Sequence, residues 1–301
     1  MKFHKITCID YTKMNTEAIK ELQKYSEEEI IHPNIEDLPK SDEEILSRIG
    51  NAEVIFVSWK TQISEEIIAQ CPNLKYIGMC CSLYDADSAN VAVNFAREKG
   101  IVVKGIFDYG DPGVAEFIIA DLIRLLHGFG EYQWQEMPQE LTDRKIGIIG
   151  LGATGKILAS CLLPFGVEVY YYSRTRKPEW EDKGVSYLEL NELLETCEII
   201  SIHLPKHVKI LADKEFQHFG NGKIIVNTSI GFPFEMPAFR NWIKKEGNFA
   251  IFDGDAKKNL PEEFQQQENV LIGNKSAGWS QKTKERLSQK VVKNFKDFLS
   301  N

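Results

Sequence analysis

The stretch "GLGATGK" holds three glycines, Gly150, Gly152 and Gly155, at the spacing G-x-G-x-x-G, with Ala153 and Thr154 between the last two. Gly150 permits a tight turn, Gly152 lets backbone N–H groups approach a pyrophosphate, and Gly155 lets a helix pack closely on a strand. The motif follows an apolar run and opens a helical pattern, "TGKILASCLL". That context matters, because the same letters elsewhere make only a glycine-rich turn. Here the helix N-terminus adds partial positive charge where a diphosphate would lie.

The next apolar run ends in "YYYSRTRKPEW". An acidic residue about 20 positions past the glycines would accept from a ribose 2′-hydroxyl. Ser173 stands there instead, followed by Arg174, Thr175 and Arg176. An acid would repel a 2′-phosphate, whereas a hydroxyl beside two guanidiniums can hold one through charge-assisted bonds. NADP is therefore expected ahead of NAD, the alternative being two arginines in a solvated turn.

The third candidate is Lys275 in "NVLIGNKSAGWS", where an apolar run gives way to small residues. It falls just past the end of a strand, on the edge where open α/β sheets bind ligands. Two roles are open to it besides that of a solvated loop residue. In a partly dehydrated cleft it can act as general acid or base, or it can simply anchor an anion.

These residues need elements to hold them. Short apolar runs alternate with helical patterns along the chain, as in layered α/β proteins. The first series of strands is expected at 6–10, 54–59, 75–81 and 101–105, with a capping box, "SDEE", opening a helix after Ser41. A second series follows at 145–150, 167–172, 198–204, 223–229, 249–254 and 269–273. Its runs lack strict alternation, as strands covered on both faces do. Between the series, "GVAEFIIADLIRLL" from residue 113 reads as a helix buried between layers, followed by a polar loop over 128–143.

Bulk properties narrow the field. At 301 residues two domains are expected, and a net charge of −8 without a basic block argues against nucleic acid or an anionic membrane as partner. No apolar stretch approaches a bilayer span, and the N-terminal run is too short for a signal peptide. Cys8, Cys71, Cys80, Cys81, Cys161 and Cys197 are scattered without a C-x-x-C pair, so no metal is expected and a reducing cytoplasm is.

The order and spacing of "GLGATGK", "PFGVEVYYYSRTRKPE", "SIHLP", "IIVNTS-G" and "AIFD" resemble the D-isomer-specific 2-hydroxyacid dehydrogenases. The first third, "CPNLKYIG", "AREKGIVV" and "GVAEFIIADLI", resembles that family's substrate domain and crossing helix, so the likeness spans essentially the whole chain. It implies two doubly wound parallel-sheet domains, a Rossmann cofactor domain (108–280) inserted into a flavodoxin-like substrate domain (1–107 with 281–301). It implies hydride transfer between a nicotinamide cofactor and a small carbonyl or hydroxy compound. His203 and Pro205 would line the adenine side, Asp253 would accept from the nicotinamide amide, and Thr228 of "NTS" would border the cofactor.

The family's chemistry uses an arginine in "NT-R-G", a glutamate after the next strand and a histidine in "P-H-x-A-G". Here Ile230 stands at the arginine position, no glutamate occurs near Lys258, and Lys275 takes the histidine position. The substrate loop "CCSLYDADSANVAV" is longer than usual, and the loop after "SIHLP" and the dimerisation arm over 128–143 are shorter. Two readings follow, an oxidoreductase of altered substrate and a nucleotide-binding pseudoenzyme or redox sensor without turnover, with a homodimer as the expected assembly.

Overall fold

The computed structural model describes residues 2–83, 85–87 and 89–300. Tyr84 and Ser88, in the lengthened substrate loop, lie outside the described residues. The chain divides into two compact units, Met1–Tyr109 with Ser280–Asn301, and Gly110–Trp279.

The first unit is built on a parallel sheet of β1 (Ile6–Cys8), β2 (Val54–Val57), β3 (Tyr76–Met79) and β4 (Val102–Lys104), side by side in that order. Residues 25–31 run along the free edge of β1, where Phe3 N donates to Tyr25 O and Cys8 N to Ile31 O at 2.8 and 3.2 Å. They form an irregular fifth position, so the arrangement follows the flavodoxin pattern although the sequence shows only four apolar runs. The capping box is half formed as expected: Ser41 Oγ accepts from Glu44 N, but the Glu44 carboxylate takes Lys40 N rather than Ser41 N.

The last helix, Gln281–Leu299, belongs to this unit. Leu287, Val291 and Phe295 enter its core, and Phe295 sits among Phe3, Tyr25, Phe56 and Tyr76 at centroid distances of 5.6–6.0 Å. Asn294 Nδ2 donates to Gly105 O and Arg286 Nε to Tyr109 O, both at 2.8 Å.

The second unit holds β5 (Lys145–Ile149), β6 (Glu168–Tyr172), β7 (Ser186–Tyr187), β8 (Ile199–Ile202), β9 (Ile224–Asn227), β10 (Phe249–Phe252) and β11 (Val270–Ile272). Their order is β11-β10-β9-β8-β5-β6-β7, all parallel. Successive side chains feed cores on opposite faces: Ile148, Ile199, Val226 and Ile251 enter one, and Ile149, Ile200, Ile225 and Phe252 the other. That is why the runs are apolar without alternation. The sequence reading counted six strands; β7 is a seventh, two residues long with Ser186 exposed, too short to show a pattern.

The helix Asp111–His127 buries Ala115, Ile118, Leu122 and Leu125 against β5 and its neighbours. Glu116, Ala120 and Arg124, at i, i+4 and i+8, stay exposed. The helix is therefore covered on one face rather than enclosed between layers, as its polar stripe dictates.

Candidate cofactor and catalytic site

In the second unit, the order switches direction at β5, with β6 on one side and β8 on the other. A crevice outside the C-terminal ends of such strands is where open α/β sheets take ligands. The glycine loop lies there. Gly150 has φ +99°, and a methyl group on it would overlap the His203 carbonyl oxygen. A methyl on Gly155 would overlap Gly150 O. Gly152 is different: nothing lies within 4 Å of its would-be Cβ, so the space above it is open. It caps the helix Ala153–Leu162 without any side-chain hydrogen bond, leaving the first-turn N–H groups directed at that space. This open, uncapped helix start fits a dinucleotide's pyrophosphate.

Thr154 Oγ1 donates a short hydrogen bond to Asp111 Oδ1. Sequence reasoning passed over Asp111, although an acid in the first turn of a helix is a legible stabilising signal.

At the end of β6 the four candidates part ways. Ser173 is half-buried, and Arg174 and Thr175 are exposed. Arg176 is already paired: its Nε and a terminal nitrogen donate to the two Glu181 carboxylate oxygens at 2.7 and 2.5 Å, and its guanidinium lies 5.2 Å from the Tyr187 ring centroid. That pairing holds the Glu181 carboxyl below the usual carboxylate range. Tyr171 Oη also donates to Glu181 Oε1 and accepts from Lys177 N, so the turn is fixed from below. Arg174 has no such tie among the described residues.

After β8, Ser201 Oγ and His203 Nε2 lie 3.0 Å apart, and His203 N donates to Ile149 O. The residue keeps a little exposed area, yet desolvation of its ring pushes the pKa down to about 4. The imidazole is neutral at pH 7. Pro205 is exposed, two residues beyond. After β9, Thr228 is half-buried while Ile230 is 73% exposed. Ser229, not foreseen, ties the two strand ends: its Oγ donates to Ile202 O at 3.1 Å and accepts from Leu204 N at 3.3 Å.

Asp253, beyond β10, is 5% exposed, and its Oδ2 accepts from Ala277 N at 3.0 Å. Burial raises its pKa, and the Ala277 N–H works against that rise. Gly254 N donates to Lys275 O at 2.9 Å, and the Lys275 backbone approaches Gly254 so closely that no side chain would fit. The loop after β11 is thus pinned at two points. Its Lys275 side chain is exposed and has no hydrogen-bond or ion-pair partner among the described residues.

A doubly wound sheet with an open glycine-loop helix start at its switch point defines a dinucleotide-binding protein. Residues 122–274, 153 of the 301, match the profile of the D-isomer specific 2-hydroxyacid dehydrogenase NAD binding domain. The chain belongs to that family of nicotinamide-dependent oxidoreductases, which move a hydride between the cofactor and a carbon bearing a hydroxyl or oxo group. It is 29% identical over 283 residues to a hydroxypyruvate reductase of Blautia hydrogenotrophica, covering 85% of each chain. It is 26% identical over 281 residues to a glyoxylate reductase of Thermococcus litoralis, covering 83% of this chain and 81% of that one.

Among solved structures, an acyclic imino acid reductase in complex with NADPH and D-Arg superposes with a TM-score of 0.76 at 23% identity, covering 100% of this chain and 97% of that one. D-lactate dehydrogenase from Aquifex aeolicus, complexed with NAD and lactic acid, gives 0.74 at 21%, with 98% and 95% covered. At such identities these two speak for the fold alone.

Proposed function

We propose that the protein reduces a small carbonyl compound with NADPH, and that Lys275 donates the proton. The observation that carries this reading is the pinned loop after β11, which holds an unpaired, exposed ammonium at the ligand edge of the sheet. When bound, the reduced nicotinamide supplies the hydride. The first-turn N–H groups of Ala153 and Thr154 hold the diphosphate, and His203 and Pro205 flank the adenosine half. Asp253 acts through the loop: by accepting from Ala277 N it sets where Lys275 emerges. Lys275 Nζ gives its proton to the carbonyl oxygen as that oxygen takes on charge, and the resulting amine recovers a proton from water. The names of the curated relatives support a 2-oxo acid as substrate.

The NADP preference rests on Ser173 and Arg174, since Arg176 is occupied by Glu181 and serves as the turn's support. A homodimer is supported by Phe129 and Met137, 73% and 70% exposed on the segment where the family places its dimerisation arm. A reducing cytoplasm suits six unpaired cysteines, five of them buried.

Calorimetric titration tests the cofactor reading. NADPH should bind tighter than NADH by about 1.5–3 kcal/mol, the scale of one charge-assisted bond. Arg174→Ala should remove most of that difference and Ser173→Asp should reverse it. Equal affinities in the unmodified protein would contradict the preference. Bound NADPH left unoxidised by a broad panel of 2-oxo acids would replace the reductase with a nucleotide-binding role without turnover.

A further inference from the structure

Within the second unit, the helix Asp111–His127 and the glycine-loop helix Ala153–Leu162 begin next to one another, joined by the bond from Thr154 Oγ1 to Asp111 Oδ1. The Asp111 carboxylate therefore lies one hydrogen bond and one short side chain from the Thr154 N–H, at the position proposed for the diphosphate. Its backbone has no room to withdraw. A methyl group on Gly110 would overlap Gly278 O, and one on Gly113 would overlap Ala277 O. The turn carrying Asp111 is thus packed against the loop that Asp253 holds through Ala277 N, and Pro112 stiffens the same turn.

No cation offsets this charge. Asp111 has no ion-pair partner among the described residues, and Ala153, Thr154 and Gly155, the first turn of the glycine-loop helix, bring no charged side chain. Lys156, next along, directs its ammonium to Glu179, 3.7 Å away, and lies 5.9 Å from the Trp180 ring centroid. The carboxylate is favoured by the N-terminus of its own helix, which is why the fold tolerates it there. A diphosphate at the loop is met by backbone N–H groups that attract it and by a fixed negative charge that repels it.

Resting on the reading that the glycine loop holds the diphosphate, we infer that Asp111 is a charge brake on the cofactor. It weakens the bound nucleotide and speeds its departure, and Thr154 acts as its positioning residue by aiming the carboxylate at the loop. Release of spent cofactor is a common limit on turnover, and such a brake relieves it.

The test is a calorimetric titration of the full chain with NADPH and NADH, with NADPH dissociation followed by stopped flow. Asp111→Asn keeps an oxygen to accept from Thr154 and removes only the charge. It should tighten both cofactors by the same factor, about three- to thirtyfold, as expected for one charge near a diphosphate at a half-exposed position, and slow NADPH release to match. Asp111→Ser should shift affinity the same way, whereas Asp111→Glu, which keeps the charge, should not. Raising the salt to about 0.5 M should narrow the gap between Asp111→Asn and the unmodified protein, because exposed charges are then screened. A purely structural Asp111 predicts a neutral Asn variant and a weaker Ser variant at every salt concentration. NADPH affinity unchanged or lowered in both variants would overturn the inference. Normal NADPH binding by Gly152→Ala would remove the diphosphate from the loop and the brake with it. Weakened binding by Gly152→Ala, with no gain from either Asp111 variant, would sink the brake alone.

Discussion

Arg174 and Arg176 are two residues apart and chemically identical, but Glu181 clamps one and leaves the other free. Sequence reading weighed them equally because Glu181 lies a turn further on and carries no motif. Burial, too, separates residues that look alike in a sequence: His203 is neutral because its ring is desolvated. An unfolded histidine protonates near pH 6.5, whereas His203 resists until about 4. Between these values the unfolded state binds the extra proton, so the contribution is fully present above pH 6.5 and is lost as pH falls toward 4. The thermal midpoint of the second unit should therefore drop over that interval, and His203→Gln should drop less. Parallel pH profiles for the two proteins would contradict this assignment.

The glycine loop is an element whose three glycines do separable work. Gly150 sits at φ +99° against the His203 carbonyl, while Gly152 has an ordinary φ of −83° and open space above it. Gly150→Ala should lower stability by roughly 1–3 kcal/mol, the usual cost of such strain, and impair nucleotide binding with it. Gly152→Ala should keep the melting temperature within a degree or two but weaken NADPH, because its methyl group fills only the space a pyrophosphate needs. A Gly152→Ala protein that binds NADPH normally would place the diphosphate elsewhere. At this scale the sequence was readable wherever a run is covered on both faces, as in β8 and β9 with every residue buried. It was silent where tertiary contact decides: the two-residue β7, the irregular 25–31 edge, and buried Asp10, whose hydrogen-bond partners Ser58 and Thr61 lie 48 and 51 residues away. Local pattern carries no trace of a hydrogen bond closed across such a separation.

On the scale of the whole molecule, each unit has its own core, and the terminal helix contributes Phe295 to the first. Phe295→Ala removes a fully buried ring from an aromatic cluster and should cost about 3–5 kcal/mol. Calorimetry should show that loss in a transition that NADPH does not raise, since ligand stabilises only the unit that binds it. A loss confined to the NADPH-responsive transition would contradict the assignment of this helix to the first unit's stability. The catalytic proposal is likewise a statement about the intact chain, and it rests most heavily on one side chain. Steady-state oxidation of NADPH by a 2-oxo acid substrate should be measured for the unmodified protein, Lys275→Ala and Lys275→Arg. If Lys275 donates the proton, Ala should lower kcat by roughly 10²–10⁴ with NADPH affinity held within a few fold, and Arg, which stays protonated, should not rescue. Full kcat in both variants, or substantial recovery by Arg with the Ala defect confined to KM, would contradict it.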